Sequence, residues 1–169
     1  MWLPESSPLN RRKLLTALLA APLGACGFTP LYGDNTKASI ARGRIEVAKI
    51  SGLMGFKMRE RLTSKLGPAT NPSHLLRVTV SVSSQQLAIN PQNEITRYSL
   101  TGIAKFKLRH NAADVDVFDG DVRAFSAYSA TASAYATSVA EKDARERLAT
   151  TLAEQISTRI SLSADRWLG

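Results

Sequence analysis

Cysteine is almost absent from this 169-residue chain, which has one, Cys26. A single thiol cannot build an internal disulfide framework. The only two histidines, His74 and His110, lie far apart in sequence, which excludes most His/Cys metal sites. Long apolar runs are missing too, none reaching the roughly 18 residues that a membrane-spanning helix requires. Acidic residues are in deficit: 14 Asp and Glu stand against 22 Lys and Arg, for a net charge of +8 and a pI near 10.0. With 44% hydrophobic and 21% charged residues, the composition excludes a disordered or polytopic chain, and the length fits one domain.

Catalytic signatures are equally scarce. There is no G-x-S-x-G elbow, no paired S-x-x-K motif and no Walker loop. His74 precedes an expected strand and His110 falls in an expected turn, so both read as structural or solvated residues. Asp116, Asp119 and Asp121 could suggest a cation site. They lack the Gly and distal Glu of a calcium loop, and a solvated strand end is the better reading. The chain does not read as an enzyme, and it implies no cofactor or metal.

The N-terminus is informative. Arg11, Arg12 and Lys13 precede a mostly apolar stretch from Leu14 to Ala25, and Cys26 follows. A charged start, a short apolar run and a small-residue end describe an export signal. Those twelve residues would rise only about 18 Å as a helix, too short to span a bilayer. Leu23-Gly24-Ala25-Cys26 resembles a bacterial lipobox, in which the cysteine is lipidated and the chain is cut before it. The alternative is an ordinary signal cut near Ala25 that leaves Cys26 as a spare thiol, a liability in an oxidising compartment. Gly27 follows where an Asp would resemble an inner-membrane retention signal, which favours the outer membrane. The Asn10–Leu15 run faintly resembles a twin-arginine signal, so the export route stays open. Cleavage would leave 19 basic and 13 acidic side chains, a net +6, so the basic character does not come from the signal.

The expected organisation is a signal over 1–25, a tether over 26–41 and one domain over 42–169. Period counting places a first strand at Arg44–Ile50. A helix follows with Met54, Met58, Leu62 and Leu66 on one stripe, stopped by Gly67-Pro68. A second strand runs from Leu75 to Ser83. In a third, Arg97–Arg109, even positions are mainly apolar while the odd face carries Arg97, Lys105, Lys107 and Arg109. After a turn at 110–114 comes a fourth strand, Val115–Tyr128, with a bulge or bend expected at Asp119-Gly120-Asp121. A long helix closes the chain, with Ser138 and Glu141 fitting a capping box and Ala144, Leu148, Leu152, Ile156 and Ile160 in its apolar stripe. The order βαβββα, with strands showing one apolar and one wet face, predicts an α+β two-layer sandwich: a four-stranded, mainly antiparallel sheet covered on one face by two helices.

The basic row is the candidate binding feature. No acidic residue interrupts it within its own strand, and the first helix adds Lys57, Arg59, Arg61 and Lys65 against Glu60. Such a field attracts polyanions. The export signal disfavours nucleic acid, which leaves a phosphate-bearing envelope lipid.

Three stretches carry a family resemblance: Cys26-Gly27-Phe28-Thr29-Pro30-Leu31-Tyr32-Gly33, Thr96-Arg97-Tyr98-Ser99-Leu100-Thr101-Gly102, and the passage from Val122 to Ile156 that contains AYATSVAEKDARERL. All three are similar to the LPS-assembly lipoprotein family, LptE, of Gram-negative outer membranes. The resemblance implies a non-enzymatic lipoprotein, lipidated at Cys26 and held at the outer membrane. It also implies that the protein complexes with and plugs a large β-barrel, LptD, assists its assembly and binds lipopolysaccharide during insertion into the outer leaflet. Arg97, Lys105, Lys107 and Arg109 are expected to contact its phosphates, an expectation drawn from charge and alternation alone. An accessory lipoprotein of an ABC-type lipid-trafficking system would share the anchor and a similar shape, and an envelope hydrolase is the remotest alternative.

Overall fold

The computed structural model describes residues 37–89 and 95–168. The elements are α1 (Lys37–Ala41), β1 (Ile45–Val47), α2 (Gly52–Leu66), β2 (His74–Ile89), β3 (Ile95–His110), β4 (Val115–Ser129), α3 (Ala134–Leu162) and α4 (Ala164–Trp167). The strands form one sheet in the order β1-β2-β3-β4. β1 and β2 are parallel, joined by the α2 crossover, and β2, β3 and β4 form an antiparallel meander. The expected α+β sandwich is therefore the observed fold. Cys26 and the signal lie outside the described residues, while α1 falls within the stretch expected to be tether.

Alternation decides which face is covered. Leu100, Ala104, Phe106 and Leu108 of β3, with Leu76 of β2 and Val122 and Ala124 of β4, are buried beneath the helices. Met58, Leu62 and Leu66 of α2 and Leu148, Leu152, Ile156 and Ile160 of α3 close that core. Their periods of two and about four are what a strand face and a helix stripe require. Gly102 lets α3 settle onto β3: a Cβ there would stand 3.0 Å from the Leu148 and Leu152 methyls. Gly67, at φ 84°, ends α2 in a conformation that costs glycine little. Arg61 of α2 bonds Glu154 of α3 through two guanidinium nitrogens, and Arg59 donates to the Val47 carbonyl at 3.1 Å.

Three local expectations are corrected. β1 is only three residues long, because after Val47 the chain leaves the sheet for α2. The ladder between β3 and β4 does not break at Asp119-Gly120-Asp121, which pair with Lys107, Phe106 and Lys105. It shifts where Leu108 pairs with Phe118 and Arg109 with Asp116, so Val117 is the extra residue of the bulge. Gly120 serves instead to admit the Phe106 ring, since a Cβ there would lie 3.1 Å from its tip. Finally, α3 starts at Ala134, capped by the Ser133 hydroxyl, which accepts from the Ala136 N–H at 3.3 Å. Ser138 sits inside the helix and donates to the Tyr135 carbonyl, while Glu141 accepts from Arg145. The Ser138–Glu141 box does not form, because the chain leaves β4 early enough to place an extended serine at 133.

Candidate functional site: the open face of the sheet

The face of the sheet away from the helices stays open. Odd-numbered residues of β2 and β3 and the matching residues of β4 project from it. Arg97, Lys105 and Lys107 are exposed and Arg109 is half-buried, all on this one side. The four do not make a single patch. Eight strand residues separate Arg97 from Lys105, about 26 Å at the usual rise.

Register then adds what a single strand conceals. Lys105 pairs with Asp121, Lys107 with Asp119 and Arg109 with Asp116 across β4, while Arg77 of β2 lies opposite Lys107. Lys107 Nζ sits 3.1 Å from Asp116 Oδ2. Arg109 clasps Asp114 with an Nη2–Oδ2 distance of 2.6 Å and also donates to the Asp114 carbonyl at 2.8 Å. The hydrogen bond between them, with their mutual attraction, lowers the Asp114 carboxyl pKa and raises that of the Arg109 guanidinium. Asp114 takes φ 54°, a left-handed conformation that Asp tolerates at a turn end. Asp116 and Asp114 are thus counter-ions to Lys107 and Arg109. Among the described residues, no group of three or more His, Cys, Asp or Glu could hold a metal. Arg97 and Lys105 have no ion-pair partner among the described residues.

Between the two ends of the row the face changes character. Phe125 is 67% exposed beside Thr101, and Ile103 lies opposite Arg123. Arg77, Arg123 and Phe125 therefore lie on the same face as the row, which strand-by-strand reading missed. Only the cross-strand register places them beside the row. A groove of about 720 Å³ runs along the β4 edge and α3, lined by Asp121, Arg123, Thr151, Gln155 and Leu162 among others.

The histidines behave as structural groups. His74 is buried between His110, with ring centroids 4.9 Å apart, and Trp167, at 5.0 Å. Its Nδ1 lies 2.9 Å from the Ser73 hydroxyl, and its Nε2 is buried without a partner. Burial, then the neighbouring His110, push its pKa down, and the Trp167 backbone opposes them.

Comparison with known proteins converges on one group. A search of the curated proteins finds no match. Among solved structures, one from Caulobacter crescentus CB15 is similar at TM-score 0.63 and 20% identity, covering 76% of this chain and 96% of that one. The rare lipoprotein B from Shewanella oneidensis is similar at TM-score 0.57 and 15% identity, over 74% and 97% of the two chains. A minor lipoprotein from Acinetobacter baumannii gives 0.53 and 18%, over 70% and 89%. At these identities the likeness is one of fold. The family model for LptE, lipopolysaccharide assembly, matches residues 41–160, nearly the whole described domain. This chain belongs to the LptE lipopolysaccharide-assembly family.

Proposed function

We propose that this chain is a lipid-anchored outer-membrane protein that plugs and helps assemble an LptD-type β-barrel and binds lipopolysaccharide on its way to the outer leaflet. The observation that carries the reading is the family match over residues 41–160. Its anchor is a lipidated Cys26. Each buried CH₂ contributes about 0.8 kcal/mol, so two or three acyl chains would hold the protein at the membrane essentially permanently. No catalytic step is required of it.

The open sheet face suits an amphipathic, phosphorylated ligand. Lys105 and Arg97, without an ion-pair partner among the described residues, would offer their charges to phosphate oxygens, and Lys107 and Arg109 would exchange a carboxylate partner for a phosphate. Arginine can engage two such oxygens at once. Phe125 and Ile103 supply an apolar strip between the charged ends.

Pull-down of the tagged full-length protein from its own envelope in native detergent, with mass spectrometry of the prey and of Cys26, tests the assembly role. A stoichiometric large β-barrel and an acylated Cys26 are expected. Recovery of ABC-transporter components in its place would overturn the barrel reading. Separately, Lys105→Glu with Lys107→Glu should weaken lipopolysaccharide binding about tenfold or more without unfolding the domain, and unchanged affinity would remove the row from the site.

A further inference from the structure

β2 begins and β3 ends at the same rung of the sheet, and a histidine stands at each position. His74 pairs with His110 across the ladder, and their rings meet edge to face with centroids 4.9 Å apart. Trp167 of α4 closes the site, 5.0 Å from the His74 ring, which is left only 3% exposed. Hydrogen bonding accounts for one nitrogen of each imidazole. His74 Nδ1 lies 2.9 Å from the Ser73 hydroxyl, while its Nε2 has no partner within hydrogen-bond distance. His110 Nδ1 accepts from the Ala113 N–H at 3.1 Å, so it carries no proton there.

A neutral imidazole needs one acceptor and an imidazolium needs two. A charge on His74 would be buried with a donor unanswered, and a proton on His110 Nδ1 would break the turn bond from Ala113. The surrounding groups do not relieve this. Arg44, just before β1, repels a cation on His74, and the Trp167 backbone favours one but is outweighed by burial and by His110. Arg109 projects from the open face and is clasped by Asp114. Asp165 and Arg166 of α4 are exposed.

α4 is the removable wall of this enclosure. It is a single turn, far below the length at which a helix holds itself together in water. Ala164 and Trp167 are its buried residues, and the Trp167 indole N–H is spent on the Ile160 carbonyl. Lifting α4 leaves the sheet's own bonds in place: the His74 N–H stays on the Arg44 carbonyl and the Asn111 N–H on the Ser73 carbonyl.

We propose that the His74–His110 pair is an acid-operated latch on α4: when an imidazole takes up a proton, Trp167 leaves its seat and α4 lifts away, admitting water to the pair while the sheet and α3 stay folded. The two states are closed and neutral, open and protonated. Above pH 6.5 the closed state is fully favoured. Below it, proton uptake by the open state draws the equilibrium over by up to about tenfold per pH unit for each histidine released to titrate. The latch stands independently of the lipopolysaccharide reading.

Hydrogen exchange resolved by residue, on the full-length chain in detergent, tests it. The Arg166 and Leu168 amides, bonded to the Ser163 and Ala164 carbonyls, report α4, and those of Leu100 and Phe106 report the sheet. Protection of the α4 amides, corrected for intrinsic rates, should fall about tenfold from pH 7.5 to pH 5.5 and lie at least about tenfold below that of the sheet at both. His74→Phe should remove most of that fall. Trp167→Ala should unprotect the α4 amides already at pH 7.5 and return the His74 titration midpoint, read by NMR, toward 6.5. It carries the test where His74→Phe does not fold. Protection in α4 that ignores pH, an undiminished fall in His74→Phe, α4 and sheet amides opening together, or a His74 midpoint unmoved by Trp167→Ala would each overturn the latch.

Discussion

The imidazole of His74 meets the indole of Trp167 edge to face, tying the last helix to the first residue of the longest meander. The Trp167 indole N–H donates to the Ile160 carbonyl at 3.1 Å, so α4 folds back over the end of α3 and seals His74 from water. Burial first, then the neighbouring His110, disfavour a cation on that ring, and a hydrogen bond with the Trp167 backbone only partly offsets them.

That enclosure makes stability depend on pH. Because the folded pKa of His74 lies below its ordinary value of 6.5, the unfolded chain binds the proton more readily. The stabilising contribution is fully present above pH 6.5 and is lost as pH falls below it toward the folded pKa. Urea midpoints should therefore decline from pH 7.5 to pH 5.5, and His74→Phe should flatten that slope. An equal slope in the variant would assign the effect to other groups.

Gly102 admits Leu148 and Leu152 so closely that any larger residue must displace α3. Gly102→Val should destabilise the domain by about 2 kcal/mol through overpacking. Leu152→Ala, at a fully buried site under the same contact, should cost about 3 kcal/mol by opening a cavity. Denaturant titration measures both.

The start of α3 offers a sharper contrast. Ser133→Ala should cost about 1 kcal/mol and speed amide exchange in the first helical turn, because the hydroxyl serves the Ala136 N–H. Ser138→Ala should leave exchange there almost unchanged, since its hydroxyl only donates back to the Tyr135 carbonyl.

The ion pair joining the helices should matter little by comparison. Arg61 and Glu154 keep 37% and 42% of their side-chain surface exposed, and water screens them. Arg61→Ala should cost below about 1 kcal/mol in the same titration, with the loss shrinking at high salt.

The faces of the first three strands and the stripes of both main helices were legible in the chain, because side-chain direction follows from a local repeat of two or about four residues. Leu100, Phe106 and Leu108 had to be inside once Lys105, Lys107 and Arg109 were outside. The stop at Gly67 was equally local, a glycine's freedom at positive φ. Which residues meet across strands emerged only from the folded sheet, since one extra residue, Val117, shifts an entire register and no local rule places it. Register put Asp116, Asp119 and Asp121 beside the basic row, and so turned an unbroken positive strand into a face of alternating sign. It also brought the Ala127 and Asp121 carbonyls of the β4 edge to Arg147 and Arg159, because an edge exists only when the sheet does.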